Sequence, residues 1–155
     1  MKIVSGGQTG VDRAALDVAL SHGIECGGWC PAGRLDEFGR IPDRYPVREL
    51  TVDGFNERTL QNVKDSDGTV IICVGKPVGG TERTVRFCVD LQRPYETIDG
   101  SKKSAEDAGK VMAAFVHKHN IGVLNVAGPR QSEWAHAYSY ASSVLDSFVR
   151  QLGTS

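Results

Sequence analysis

A chain of 155 residues, 40% of them hydrophobic and 24% charged, has the makeup of one globular domain spanning residues 1–155. No run reaches the ~18 consecutive apolar residues of a membrane span, and a formal net charge of -1 argues against a nucleic-acid binder resting on a basic surface. The opening Met1-Lys2-Ile3-Val4-Ser5-Gly6-Gly7 turns to glycine too soon for a secretory signal, so a cytoplasmic protein is expected.

Strand and helix signals alternate along the chain. Lys2 to Ser5 reads as a short strand that Gly6-Gly7-Gln8-Thr9-Gly10 breaks. Helical spacing of Val11, Ala15, Leu16, Ala19 and Leu20 predicts a helix from Val11 to His22, stopped by Gly23. Ile24 to Gly28 is a second strand candidate. Pro31, Gly33, Gly39 and Pro42 make residues 29–44 a long irregular loop, and Tyr45 to Val52 is expected to be extended.

Phe55 to Lys64 reads as a short helix. Thr69 to Val74 is a bare apolar run of the kind found in a parallel sheet covered on both faces. A helix from about Thr81 to Leu91, a strand from Tyr95 to Ile98 and a helix from Lys103 to His119 follow. Gly122 to Val126 makes another strand. The last helix, Glu133 to Leu152, carries an apolar stripe of Trp134, Tyr138, Ala141, Leu145, Phe148 and Leu152, which could serve a core or an interface between copies of the chain. The alternation predicts an α/β fold with a mostly parallel sheet flanked by helices.

Eighteen glycines gather in a few loops, and 11 arginines outnumber 7 lysines, a tilt that suits a small anionic ligand. Cys26, Cys30, Cys73 and Cys88 make no CxxC pair, so reduced thiols are expected rather than a zinc site or a disulfide framework. Cys73 should be a buried hydrophobe; Cys30, beside Trp29 and Pro31, is the candidate for an exposed thiol. The histidines form neither a metal clip nor a catalytic triad, and no metal site is expected.

Three loops share one design of strand, glycine-containing turn and helix: residues 5–10, 75–81 and 127–132. In a parallel sheet all three lie at the carboxyl edge, where such sheets bind ligands, and each aims backbone N–H groups and a helix N-terminus at the rim. Neither the phosphate-loop pattern nor the dinucleotide fingerprint is present, which disfavours a nucleoside triphosphatase or an ordinary NAD enzyme. Gln8 can donate and accept as heterocycle recognition requires. Thr9 and Asp12 could close the helix start as a capping box, or Asp12 could reach a ribose or pterin edge. Arg13 opposes the helix dipole, which calls for a paired anion, either a carboxylate or a ligand. Arg130 is the leading candidate for an anion contact. Trp29 could stack on a ring or plug the core, and Arg58, Thr59 and Asn62 lie on one side of a short helix. Glu82 sits comfortably in a first helical turn without any catalytic role.

Together the blocks Gly6 to Asp17, Gly27 to Pro31, Arg58-Thr59 with Asn62-Val63, Asp65 to Thr69, Gly79-Gly80-Thr81 and Asn125 to Arg130 resemble the putative molybdenum carrier family, a branch of the LOG-like Rossmannoid proteins. The resemblance covers nearly the whole chain. It implies a Rossmann-like sheet and a pocket for a phosphate-bearing pterin, the molybdenum cofactor (molybdopterin), or for a nucleotide. The reading of the residues fits it: the helix N-termini, with Gly6, Gly7, Gly10, Gly79, Gly80, Thr81, Gly128 and Arg130, for the anion, Gln8 and Asn62 for a heterocycle edge, and Trp29 for a ring face. Metal would be ligated by the pterin's own sulfurs. Related LOG enzymes cleave nucleoside monophosphates with an Arg and a Glu around a Pro-Gly-Gly-x-Gly-Thr-x-x-Glu block. Here Val78-Gly79-Gly80-Thr81-Glu82-Arg83-Thr84 lacks that proline, the third glycine and the acid at its distance, which leaves Glu82 a weak catalytic candidate. A carrier is the leading reading; a phosphoribohydrolase or a nucleotide sensor is the alternative.

Overall fold

The computed structural model describes residues 1–51 and 55–153. The chain opens with β1 (Lys2–Val4), α1 (Val11–Ser21) and β2 (Glu25–Gly27), then makes an excursion before returning to alternate strands and helices. The excursion holds β3 (Trp29–Cys30), a single 3-10 turn (Ala32–Arg34), β4 (Leu35–Asp36), β5 (Gly39–Arg40) and β6 (Arg48–Glu49). After it come α2 (Phe55–Lys64), β7 (Gly68–Cys73), α3 (Gly79–Asp90), β8 (Tyr95–Asp99), α4 (Ala105–Lys118), β9 (Val123–Ala127) and α5 (Ala137–Gly153).

Five strands form one sheet in the order β2-β1-β9-β7-β8, and every neighbouring pair is parallel. All six residues of β7 are buried, as its unbroken apolar run requires of a central strand. Alternation divides the faces: Ile3, Val70, Ile72, Leu124 and Val126 join the main core with residues of α1, α4 and α5. α5 packs on α4 and α1, while α2 and α3 pack together over the other face. On that face lie Thr69 and Asn125, whose side chains meet at 3.3 Å. The result is a single Rossmann-like domain. Counted from β9 instead of β1, the strands run 3-2-1-4-5, the order of a doubly wound dinucleotide-binding sheet.

Residues 29–44 are more regular than their prolines and glycines suggest. β3 pairs with β6 and β4 with β5, so the extended stretch expected at 45–52 reduces to Arg48–Glu49, with Val52 outside the described residues. Arg34 organises this excursion by donating to the carbonyls of Val47 (2.8 Å), Pro42 (2.8 Å), Tyr45 (3.1 Å) and Ile41 (3.3 Å). Beneath it Leu16, Cys30, Ile41, Tyr45 and Val47 form a second small core. Cys30 is therefore fully buried and not the exposed thiol expected.

Two helix starts and one cap also differ. α3 starts at Gly79 and takes both glycines into its first turn. α5 starts at Ala137, so Trp134 lies in the preceding turn, and Tyr138 is 39% exposed because its hydroxyl donates to Asp17. The buried face of α5 is Ala137, Ala141, Val144, Leu145, Ser147 and Phe148. At α1 the N-cap is Gly10, with no side-chain cap.

Candidate functional site

The reversal of strand order opens a crevice at the carboxyl ends of β9 and β7, because the helices that follow β9 and β1 take one face and the helix that follows β7 takes the other. A cleft of about 230 Å³ lies there. Gln8 and Asp12 line it from the start of α1, Asn56, Arg58 and Thr59 from α2, and Gly80, Thr81, Arg83 and Thr84 from α3. Ala127, Gly128, Arg130 and Glu133 complete it from the segment after β9.

Asp12 and Arg58 are the charged pair set deepest in this lining, beside the buried Gln8, Thr81 and Thr84. The Arg58 Nη1 stands 3.7 Å from Asp12 Oδ2, with side-chain exposures of 15% and 6%. The backbone N–H of Gln8 donates to the same oxygen at 3.3 Å. Burial pushes the Asp12 carboxyl up to about 6, against the opposing pull of Arg58 and the Gln8 amide. Burial likewise lowers Arg58 from its ordinary value, with Asp12 pulling it back. The guanidinium of Arg58 occupies the space above Gly6, so any side chain there would collide with it.

The remaining cleft charges lie nearer solvent. Arg130 meets Glu133 at 3.1 Å, and its backbone N–H donates to the same Glu133 oxygen at 2.9 Å. Arg83 is exposed on α3. No side chain caps the N-terminus of α3, where Gly80 and Thr81 face the cleft, so the positive helix end is presented to it. Together three arginines and a helix N-terminus surround a volume with one deep carboxyl.

The structure brings Gln8, Asp12, Arg58, Thr59, Gly80, Thr81, Gly128 and Arg130 together in the cleft, with Gly79 adjoining Gly80 in the same turn. Other candidates serve the scaffold around it. Gly7 faces Ile41 and Val47, and a side chain at Gly10 would come within 2.8 Å of the backbone N of Gln131. Thr9 donates to Glu37 and accepts from the Gln131 N–H at 3.2 Å, so it ties loops together instead of capping α1. The anion opposite Arg13 is Asp36, at 2.8 Å, and its guanidinium stacks over Tyr45.

Trp29 and Asn62 stand apart, lining a second cavity of about 180 Å³. Asn62 accepts from the Trp29 N–H at 2.8 Å and donates to its carbonyl at 3.0 Å, and the indole N–H donates to Asp65. Arg48 covers the indole ring. Glu82 pairs with Arg86 on the outer side of α3, away from the cleft lining. Sequence reasoning passes over Asn56, Arg83, Thr84 and Glu133 as cleft residues. A signal for Arg83 is its i+3 spacing from Gly80, which puts both on one side of α3. Among the described residues no group of three His, Cys, Asp or Glu could hold a metal ion, and no helix is long and apolar enough to cross a membrane.

Residues 3–149 match the circularly permutated YpsA SLOG family, which agrees with a sheet whose Rossmann order is recovered by counting from β9. The chain belongs to that family. It is also similar to the crystal structure of a putative molybdenum carrier protein from Syntrophus aciditrophicus. The two share 44% sequence identity and superpose with a TM-score of 0.93 over 96% of this chain and 94% of the other.

Proposed function

We propose that this protein is a carrier that binds a phosphate-bearing pterin, or a similar nucleotide-like anion, in the switch-point cleft. The observation that carries this reading is the convergence of Arg58, Arg83 and Arg130 with the uncapped start of α3 on one volume at the carboxyl edge of the sheet. Gln8, whose side-chain amide donates to the Leu35 carbonyl at 2.9 Å, keeps its own carbonyl oxygen for a heterocycle N–H. The likeness to a molybdenum carrier supports molybdenum cofactor as cargo. The residues fit cargo that brings its own metal ligands: none of the four cysteines lines the cleft, and Cys30, Cys73 and Cys88 are buried.

Native mass spectrometry of freshly purified protein, followed by identification of whatever denaturation releases, tests the ligand class. A pterin phosphate supports the carrier, and a released nucleotide moves the cargo to that class. Calorimetry with AMP as probe tests the cleft: Arg83→Ala should weaken binding by about 1.5–3 kcal/mol if Arg83 makes a charge-assisted hydrogen bond. Unchanged affinity would remove the Arg83 side chain from the site.

A second reading, a phosphoribohydrolase, draws on Asp12, a buried carboxyl at the cleft that burial raises to about 6 and so keeps within reach of proton transfer near neutrality. Release of free base from AMP, abolished in Asp12→Asn, would favour it; a stable stoichiometric complex would favour the carrier.

A further inference from the structure

We infer that an oxyanion enters this cleft together with one proton, which Asp12 takes up as Arg58 transfers its charge from that carboxylate to the ligand. The inference rests on the cleft being the binding site, as proposed above, and adds how its charge is balanced.

The geometry makes the two anions competitors. Arg58 is the cation set deepest in the cleft, and Asp12 already stands 3.7 Å from its Nη1. An oxyanion bonded to the same guanidinium would lie within a few ångströms of the carboxylate, where like charges strongly disfavour a second ionised group. Asp12 cannot swing away to relieve this. Its helix begins against the β9–α5 segment, with the Val11 N–H on the Pro129 carbonyl at 3.3 Å. Its carboxylate accepts from Gln8, and its carbonyl takes the Ser5 hydroxyl at 3.1 Å.

Among the described residues, Arg13, Arg83, Arg130 and Glu133 are the other charged groups at or beside the cleft. Arg13, on the same helix, is held by Asp36 at 2.8 Å. Across the cleft Glu133 is held by Arg130, and Arg83 on α3 is exposed to solvent. Protonation of Asp12 is the change that lets Arg58 serve a new partner without leaving two carboxylate-like charges on one cation. In the free protein burial already sets this carboxyl at about 6, so a modest further rise carries it through neutrality.

The test follows the Asp12 side-chain carbon by NMR across pH in the free protein and in protein saturated with inorganic sulfate or adenosine 5′-sulfate, neither of which titrates in this range. The midpoint should rise by at least about one unit on saturation, and the dissociation constant should increase about tenfold per pH unit between the two midpoints. In Asp12→Asn the affinity should be nearly flat over the same pH range. A midpoint that stays or falls on saturation overturns the inference while leaving the site intact, because Asp12 would then remain an anion that accepts from the ligand. Absence of any shift at cleft resonances, at every pH and at millimolar probe, would defeat the binding reading itself and the inference with it.

Discussion

Asp12 affects the stability of the empty protein as well as its binding. Its ordinary value of 3.8 is raised to about 6 by burial, so between those limits the folded chain holds a proton that the unfolded chain has lost. Stability from this residue is therefore full below about pH 4 and declines as pH rises through 6, by about 2–3 kcal/mol in all. Asp12→Asn lacks the titration. Urea unfolding at a series of pH values should show the variant gaining on the natural protein by that amount from about pH 4 to 7. Parallel profiles would mean the carboxyl is not desolvated. At this scale the sequence points to Gln8, Asp12, Arg58 and Arg130, which the fold brings to one cleft, because polar residues beside a strand-to-helix turn or along one side of a short helix stand out locally. Thr9, Arg13, Trp29 and Asn62 carry the same local signal, yet they end in bonds that tie distant segments of the scaffold together. Thr9, Arg13 and Trp29 find Glu37, Asp36 and Asp65 at 28, 23 and 36 residues' distance, Asn62 finds Trp29 at 33, and no local pattern predicts such pairings.

Among the elements, α4 and α5 form the closest helix pair, and one residue sets their approach. A Cβ at Gly109 would lie 2.5 Å from Ser147 Cβ and 2.8 Å from the Phe148 backbone N. In an ordinary helix interior glycine is the poorer residue, so Gly→Ala would stabilise by about 0.5–1 kcal/mol. Here overpacking opposes it, and Gly109→Ala should lower stability by about 1–3 kcal/mol in urea unfolding with ligand affinity unchanged. A stabilised variant would show that the two helices can separate at no cost. The helices and the sheet strands were legible because apolar spacing repeats within each of them. The excursion was not. Its small core joins Leu16, on α1, to Cys30, Ile41, Tyr45 and Val47, and two-residue strands are too short to carry a period. The start of α3 was misplaced for a related reason: glycines that usually end a helix here begin one, with Gly79 at a φ of 56°.

For the whole molecule, the strand order says that the position of the chain termini is separable from the architecture. β9 and β1 are adjacent and parallel, and α5 leads from the carboxyl edge of β9 back across the sheet toward the edge where β1 begins. Joining the chain's end to Met1 through a short glycine linker would make β9-α5-β1 an ordinary βαβ unit. The α4–β9 turn, where Asn120 adopts a φ of 51° and is exposed, is the natural place to open the chain. A protein rebuilt to start at Asn120 would thus have strands in the sequence order 3-2-1-4-5 and the same cleft. It should fold to the same far-ultraviolet circular dichroism and bind the same ligand with affinity within a few-fold. The cleft is assembled from four separate chain segments that meet only in the folded sheet, so binding reports assembly more sharply than spectroscopy does. A permutant that folds but fails to bind would show that the order of the chain, and not the sheet alone, sets the relative placement of Asp12 and Arg130, which line the cleft from the segments that follow β1 and β9.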